Sequence, residues 1–470
     1  MVIPVLLLAD DLTGAAEAAA AFVARTPRIL DLRTARVART SRGARDLFDG
    51  GDVVAVDTDS RYATPTTAAE RTTTALALLP PGGVVVKKLD STLRGPIAAE
   101  LAALREPGGA LVVAPALPAL GRTVVGGAVL VGGVPLERSG AWAAESRPAP
   151  SSLAEALAPL PVTVVELPVV RGGMAELADA LRSAADAGRV AVCDAETEAD
   201  LDRIVAAGES VRRSGQPVRW AGSAGLAHAI ARAHAADARA TRAPAPAPAH
   251  GGPAHGEPAR GGPDEAVPPG AAVTEVRIRT VPPARGSLPV PPPLGPILFV
   301  VGTAAPAARE QLGWLKRHIG TVVELDPEQL AEPAVAAAHI AERTAGRTAA
   351  VHLADARGAA RSPDVAAALA RAVAPAALDH PALVLTGGET ARAVLAALEV
   401  GELHVREAWA DGVVVSTEPG GRVIVTKPGA FGEPRTLVHI VQRLPGTRWH
   451  LRATSPAAAT HQHSPHQEDT

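Results

Sequence analysis

The stretch VVVKKLDSTLRGPIAAEL, residues 84–101, decides the reading of the chain. An apolar run leads into a polar junction, and an Ala/Leu segment opening on glycine and proline follows. Branched side chains favour a buried strand; alanine and leucine favour helix. Pro96 suits the first turn of that helix, where its missing N–H costs nothing. Lys87, Lys88, Asp90, Ser91, Thr92 and Arg94 therefore sit where a strand hands over to a helix. The same rhythm recurs on both sides. IPVLLLA (3–9) precedes TGAAEAAAAFVAR (13–25), and GDVVAVD (51–57) precedes TPTTAAERTTTALALL (64–79). ALVVAPA (110–116), RVAVCDA (189–195) and GSAGLAHAIARAHAADA (222–238) continue it. Such alternation predicts parallel strands with crossover helices, an α/β fold.

From residue 238 to 295 the chain becomes Pro/Gly/Ala-rich, a composition that cannot bury a core and reads as a mobile linker. Within it VTEVRIRTV (273–281) alternates like a stray edge strand. A second β/α series then runs through ILFVVG (297–302), TAAVHLAD (348–355), ALVLTGG (382–388) and RVIVTK (422–427). The expected organisation is two α/β domains with mainly parallel sheets, at 1–237 and 296–446, joined by the 238–295 linker and followed by a disordered tail at 447–470.

The totals agree with two folded domains: 470 residues with 47% hydrophobic content. A formal net charge of -3 offers no basic excess for nucleic acid or an anionic membrane surface. The single cysteine, Cys193, rules out an intramolecular disulfide and a Cys zinc cluster, and suits a reducing, cytoplasmic setting. No run of about 18 apolar residues is present to span a bilayer. The start, MVIPVLLLADDLTG, lacks a basic n-region and reads as a first buried strand, not a signal peptide.

In doubly wound α/β domains ligands bind beyond the carboxyl ends of the strands. Asp10 and Asp11 follow one strand, Asp57, Asp59 and Arg61 another, and the 87–94 junction a third. Each has a plainer reading. In ADDLTG (9–14), Asp11 or Thr13 can cap the next helix, leaving the other aspartate to work. In DTDSR (57–61) the charges can form a solvated loop ion pair; Arg61 can instead clamp a carboxylate with its fork. If the chain stays extended, Lys88 and Asp90 share a face. A lysine and an arginine there can hold an anion while an aspartate accepts a hydroxyl proton. APALPALGRTVVGG (114–127) adds Arg122 and Thr123, or is simply a rigid turn.

The second half offers glycine turns instead: FVVGTAAPAAREQL (299–312), VLTGGETARAVL (384–395) and VIVTKPGAFG (423–432). Glycine admits close backbone approach, and helix-start N–H groups favour phosphate. One such turn is ordinary β–α geometry; three favour a nucleotide. Neither GxxxxGK[ST] nor GxGxxG is present, so the P-loop and Rossmann classes are unsupported. Lys427 is either a point charge for phosphate or a solvated strand end. Cys193 and Trp220 read as core packing, and the histidines at 450, 461, 463 and 466 as part of a polar tail.

Taken in series, ADDLTG, DTDSR, KKLDSTLRG, PALPALGRT, GSAGLA, VGT, TGGET and TKPGAFG resemble the four-carbon acid sugar kinase family, which phosphorylates threonate, erythronate or oxo-tetronate. The resemblance implies a sugar-acid-binding domain followed by a nucleotide-binding domain, with ATP and Mg²⁺ required. It implies acid contacts at Asp10, Asp11, Arg61, Lys88, Asp90, Ser91 and Arg94, with Asp90 or Asp11 taking the hydroxyl proton. It implies nucleotide contacts at Thr303, Gly387, Gly388, Glu389, Thr390 and Gly429, to which Lys427 adds a candidate charge for phosphate. The chain departs from the family's pattern at Glu17, where aspartate or a small polar residue is usual, and at Thr303, where serine is usual. Glu145 stands where an Asp-Pro pair is common, and the long Pro/Gly insert is atypical. A non-catalytic sugar-acid sensor shares the two-lobed layout but leaves the glycine turns without a use. A dehydrogenase would need the absent fingerprint. Homo-oligomerisation is left open, as are the stereoisomer and the hydroxyl attacked.

Overall fold

The computed structural model describes residues 3–42, 46–48, 53–143, 145, 147–240, 295–302, 305–354, 363–429 and 431–444. The strand-like VTEVRIRTV, the tail histidines and Thr303 lie outside them. The first half contains β1 (Val5–Ala9), β2 (Arg28–Asp31), β3 (Val53–Asp57), β4 (Val84–Lys88), β5 (Ala110–Ala114), β6 (Arg122–Val125), β7 (Ala128–Val131), β8 (Val134–Pro135), β9 (Val162–Val165), β10 (Val190–Cys193) and β11 (Val218–Gly222). The second contains β12 (Ile297–Val301), β13 (Thr321–Leu325), β14 (Ala349–Leu353), β15 (Ala382–Thr386), β16 (Glu402–Ala408), β17 (Val414–Thr417) and β18 (Val423–Lys427).

Strands β1, β3, β4, β5, β12, β15 and β18 are buried along their whole length. Helices cover both faces of such strands, which is why they read as continuous Val/Leu/Ile/Ala runs instead of alternating. In the first lobe the order is β2-β3-β1-β4-β11-β5-β10-β9, all parallel. In the second, β13-β14-β12-β15-β18 is parallel, and β17 and β16 add on in antiparallel fashion.

The lobes are not joined by the linker alone. Strand β16 pairs antiparallel with β2, Leu403 opposite Ile29, so both sheets merge into one of 15 strands. Each lobe thereby covers the other's exposed edge. Three successive antiparallel steps, β2 to β16 to β17 to β18, leave the second lobe's parallel strands opposed to the first lobe's. In a flat sheet the two sets of carboxyl ends would lie at opposite margins. Sheet twist of about 20–25° per strand, taken over the six steps from β1 to β15, amounts to about 120–150° and works against that opposition. Helix Leu12–Ala20, rich in alanine and buried almost throughout, packs directly on helix Gly388–Ala397 of the other lobe.

Two local expectations need adjustment. Pro96 stands one residue before its helix, Ile97–Leu104, instead of in its first turn. PALPALGRT is more than a rigid turn: it leads into the small antiparallel sheet β6-β7-β8, which carries Arg122. Trp220 and Cys193 are fully buried, as packing requires.

Candidate active site

Both lobes place their polar junctions at a topological switch point. In the first, β1 sits between β3 and β4, and all three tips carry charge. In the second, β12, β15 and β18 are adjacent, and each is followed by one of the glycine turns.

Arg61 is the hub of the first lobe. Its Nε and Nη2 donate to Asp10 at 2.8 and 2.9 Å, and its Nη1 and Nη2 donate to Asp11 at 3.0 and 3.1 Å. Asp90 Oδ1 lies 4.0 Å away. Burial works against the Arg61 charge, yet Asp10, Asp11 and Asp90 overcome it and raise its basicity. Arg61 therefore does not pair within its own loop, as a solvated DTDSR pair would require. Asp57 and Asp59 reach Arg392 of the second lobe instead, with Nε 3.4 Å from Asp57 and Nη2 against Asp59.

Asp11 has two tasks at once. Its Oδ1 caps helix Leu12–Ala20 by accepting the Gly14 N–H at 2.8 Å, and its Oδ2 accepts from Thr13 Oγ1 at 2.7 Å. Burial pushes its carboxyl up, but Arg61 and Lys88 prevail and hold it below the usual range. Asp90 is gripped by Arg94 Nε and Nη2, both at 2.8 Å, and accepts from Thr92. Burial is again outweighed, by Arg94 and Arg61, leaving this carboxyl well below the usual range.

Strand β4 ends at Lys88, and the chain turns after Asp90: the Leu93 N–H donates to the Asp90 carbonyl at 2.9 Å, and Leu93 and Gly95 adopt positive φ, 62° and 98°. Strand alternation then separates the two lysines: Lys87 turns under the sheet to Glu100 at 2.8 Å, while Lys88 reaches Glu17 at 3.4 Å. Ser60 links Glu100 to Thr58, tying the Arg61 loop to this buried pair. Burial raises Glu17 and Glu100, with the lysines opposing.

In the second lobe Gly387 takes φ 87°, a conformation that favours glycine, and opens helix Gly388–Ala397. A Cβ on Gly388 would fall 2.3 Å from Asp11 Oδ2, so the helix start abuts the first-lobe cluster. A Cβ on Gly302 would meet Thr390 Oγ1 at 2.0 Å. Lys427, fully buried, donates from Nζ to the Pro428 carbonyl at 2.6 Å. Burial lowers it to about 8. Glu389 lies in the first helical turn, and burial raises its carboxyl. Open backbone N–H groups, small residues and a buried cation form a donor set suited to phosphate. Among the described residues no group of three His, Cys, Asp or Glu side chains is arranged to hold a metal ion, and no helix is long and apolar enough to cross a membrane.

Arg392, Glu100, Ser60 and Phe431 were not expected at the site. Arg392 follows Gly388 by about one helical turn, and Glu100 is the only acid in its helix; only the fold shows what they face.

Two α/β lobes that meet with charged strand tips on one side and a phosphate-ready helix start on the other have the architecture of a two-lobed small-molecule kinase. Comparison with known proteins agrees. Residues 5–230 match the model of a sugar-binding N-terminal domain, and residues 298–437 that of a nucleotide-binding C-terminal domain. The chain is 33% identical to the D-threonate kinase of Cupriavidus necator, covering 94% of this chain and 98% of the relative. It is 31% identical to the D-threonate kinase of Bordetella bronchiseptica, covering 93% and 96%. A solved structure from Salmonella typhimurium LT2, 21% identical, superposes with a TM-score of 0.66, covering 94% and 99% of the chains, and shows the shared fold. The chain belongs to the four-carbon acid sugar kinase family.

Proposed function

We propose that this protein transfers the γ-phosphoryl group of ATP to a hydroxyl of D-threonate, in the cytoplasm, where ATP and a reducing milieu suit its lone buried thiol. One observation carries the reading: the start of helix Gly388–Ala397 lies against Asp11, so a phosphate at that start is beside the Arg61 cluster. D-Threonate is the preferred acid because the full-length relatives named above are D-threonate kinases.

Lys88 and Arg94 supply positive charge for the carboxylate, with Arg61 holding the geometry of Asp10 and Asp11. Ser91 adds a hydroxyl at the junction. Asp90 accepts and orients the attacking hydroxyl, and its proton passes to Asp90 or Asp11 as the new bond forms. A low basicity is tolerable there, because phosphoryl transfer depends mainly on positioning and charge stabilisation. Gly302, Gly387, Gly388, Thr390, Lys427 and Gly429 hold the nucleotide phosphates, with Thr303 beside them in sequence. Mg²⁺ favours phosphate oxygens plus one or two carboxylates; Asp11 and Glu389 stand at that helix start and would supply them. The ion would neutralise charge on the leaving phosphates. Closure of the lobes excludes water from the reacting group.

An ADP-release screen over D- and L-threonate, D- and L-erythronate and 3-oxo-tetronate tests the reading. Turnover is expected to be highest with D-threonate. ADP release unaffected by every acid would refute the kinase assignment, and a preference for an erythronate would correct the substrate.

A further inference from the structure

Three arginines converge on the first-lobe cluster, and only two are neutralised there. Arg61 faces Asp10 and Asp11, and Arg94 grips Asp90. Arg122 makes no ion pair with a carboxylate among the described residues. One of its N–H groups donates to Ser91 Oγ, and its guanidinium lies 4.8 Å from the centre of the Phe431 ring. Phe431 belongs to the other lobe, in the loop after β18 that carries Gly429. Phe431 is tied to its own lobe: Gln311 Nε2 donates to its carbonyl at 3.0 Å. Arg122 thus has one fixed neighbour beside the acid-binding junction and another beside the nucleotide turn. Burial lowers its basicity, and Asp90 only partly opposes this.

We propose that Arg122 is a catalytic residue whose remaining N–H groups bind the phosphoryl group in transit between nucleotide and acid. The inference rests on the kinase reading above. In that step the bond between the γ-phosphorus and the bridging oxygen breaks, and its electron pair stays on ADP. A bond forms from the acid's hydroxyl oxygen to phosphorus, and the hydroxyl proton passes to a site carboxylate. Charge on the transferring group needs a cation that no protein carboxylate already occupies. The planar guanidinium fork matches phosphoryl oxygens, and the Phe431 face steadies it as a cation–π partner. A mere staple between lobes would have the same contacts but would act on stability, not on the chemical step.

The test compares wild type with Arg122→Ala and Arg122→Gln, using Mg-ATP and D-threonate, alongside calorimetric titration with inorganic phosphate. Arg122→Ala is expected to lower kcat by about 10²–10³-fold while the KM for the acid moves by less than about threefold. Millimolar guanidinium is expected to restore part of the rate. Phosphate affinity is expected to fall by about tenfold or more. If Arg122→Ala does not fold, the Gln variant supplies the same readings. A variant that keeps kcat within about threefold, or binds phosphate as wild type does, overturns the inference. Should wild type phosphorylate no four-carbon acid, the kinase reading fails, while the phosphate comparison still decides whether Arg122 forms an anion site.

Discussion

Arg61 shows how much depends on a single buried fork. Replacing it strips Asp10 of its ion-pair partner and leaves Asp11 with Lys88 alone, and removing one partner of a buried ion pair costs about 3–5 kcal/mol. Arg61→Ala is therefore expected to lower the denaturation midpoint sharply, whereas Arg61→Lys is expected to fold but lose acid affinity; chemical denaturation and the KM for the acid read the two effects. Asp90→Asn is expected to cut turnover by about 10²-fold or more with acid binding largely kept, and unchanged turnover would remove Asp90 from the chemistry. Lys427 gives a pH prediction. Burial lowers it to about 8, so in the free enzyme it is cationic below that value and neutral above it. The kcat/KM for ATP is expected to fall as pH rises through about 8, and Lys427→Arg is expected to remove that limb, because arginine stays charged. The charges at 10, 11, 61, 88, 90 and 94 were legible in the sequence because each falls in a polar junction that follows an apolar run. Their pairings were not. Arg61 passes over Asp57 and Asp59 beside it and meets carboxylates some 50 positions away, a choice made by strand order.

Elements place these residues, and glycines mark where elements touch. Gly388 has no room for a methyl group beside Asp11. Gly388→Ala is expected to displace the Asp11 carboxylate, weakening both ATP and the acid and depressing turnover; calorimetric titration of each ligand reads the two losses. Gly208 is a contrasting case, remote from the chemistry. A Cβ there would fall 2.2 Å from the Trp220 ring. Gly208→Ala is expected to destabilise the protein by about 1–3 kcal/mol through overpacking, leaving both KM values alone. The central strands were readable because full burial writes itself as a Val/Leu/Ala run. The short sheet β6-β7-β8 was not, since its strands are only partly buried and their glycine turns resemble ordinary loop. The turn after Asp90 was equally hidden: Leu93 at φ 62° is a conformation its residue type does not advertise.

At the scale of the whole molecule, the sequence suggested two domains tied by a linker, and the structure adds a second tie through β2 and β16. Nothing in RILD or ELHVREA announces that pairing, because edge strands from distant segments recognise each other only once both sheets exist. Across this joint the start of helix Gly388–Ala397 abuts Asp11 at a first-lobe strand tip. Arg392 then bridges the lobes to Asp57 and Asp59. Burial lifts Asp57 to about 7, with Arg392 opposing, so the bridge gains its full charge only as pH rises past neutrality. Arg392→Ala is expected to loosen closure and raise the ratio of acid-independent ATP hydrolysis to acid-dependent turnover, measured by ADP release with and without the acid. The most direct measurement is a crystal structure with D-threonate and a non-hydrolysable ATP analogue bound together. A shared cleft predicts the terminal phosphorus within about 3–4 Å of an acid hydroxyl, with the acid at the Arg61–Asp90 cluster. Two ligands bound on separate faces, too far apart to react, would contradict it.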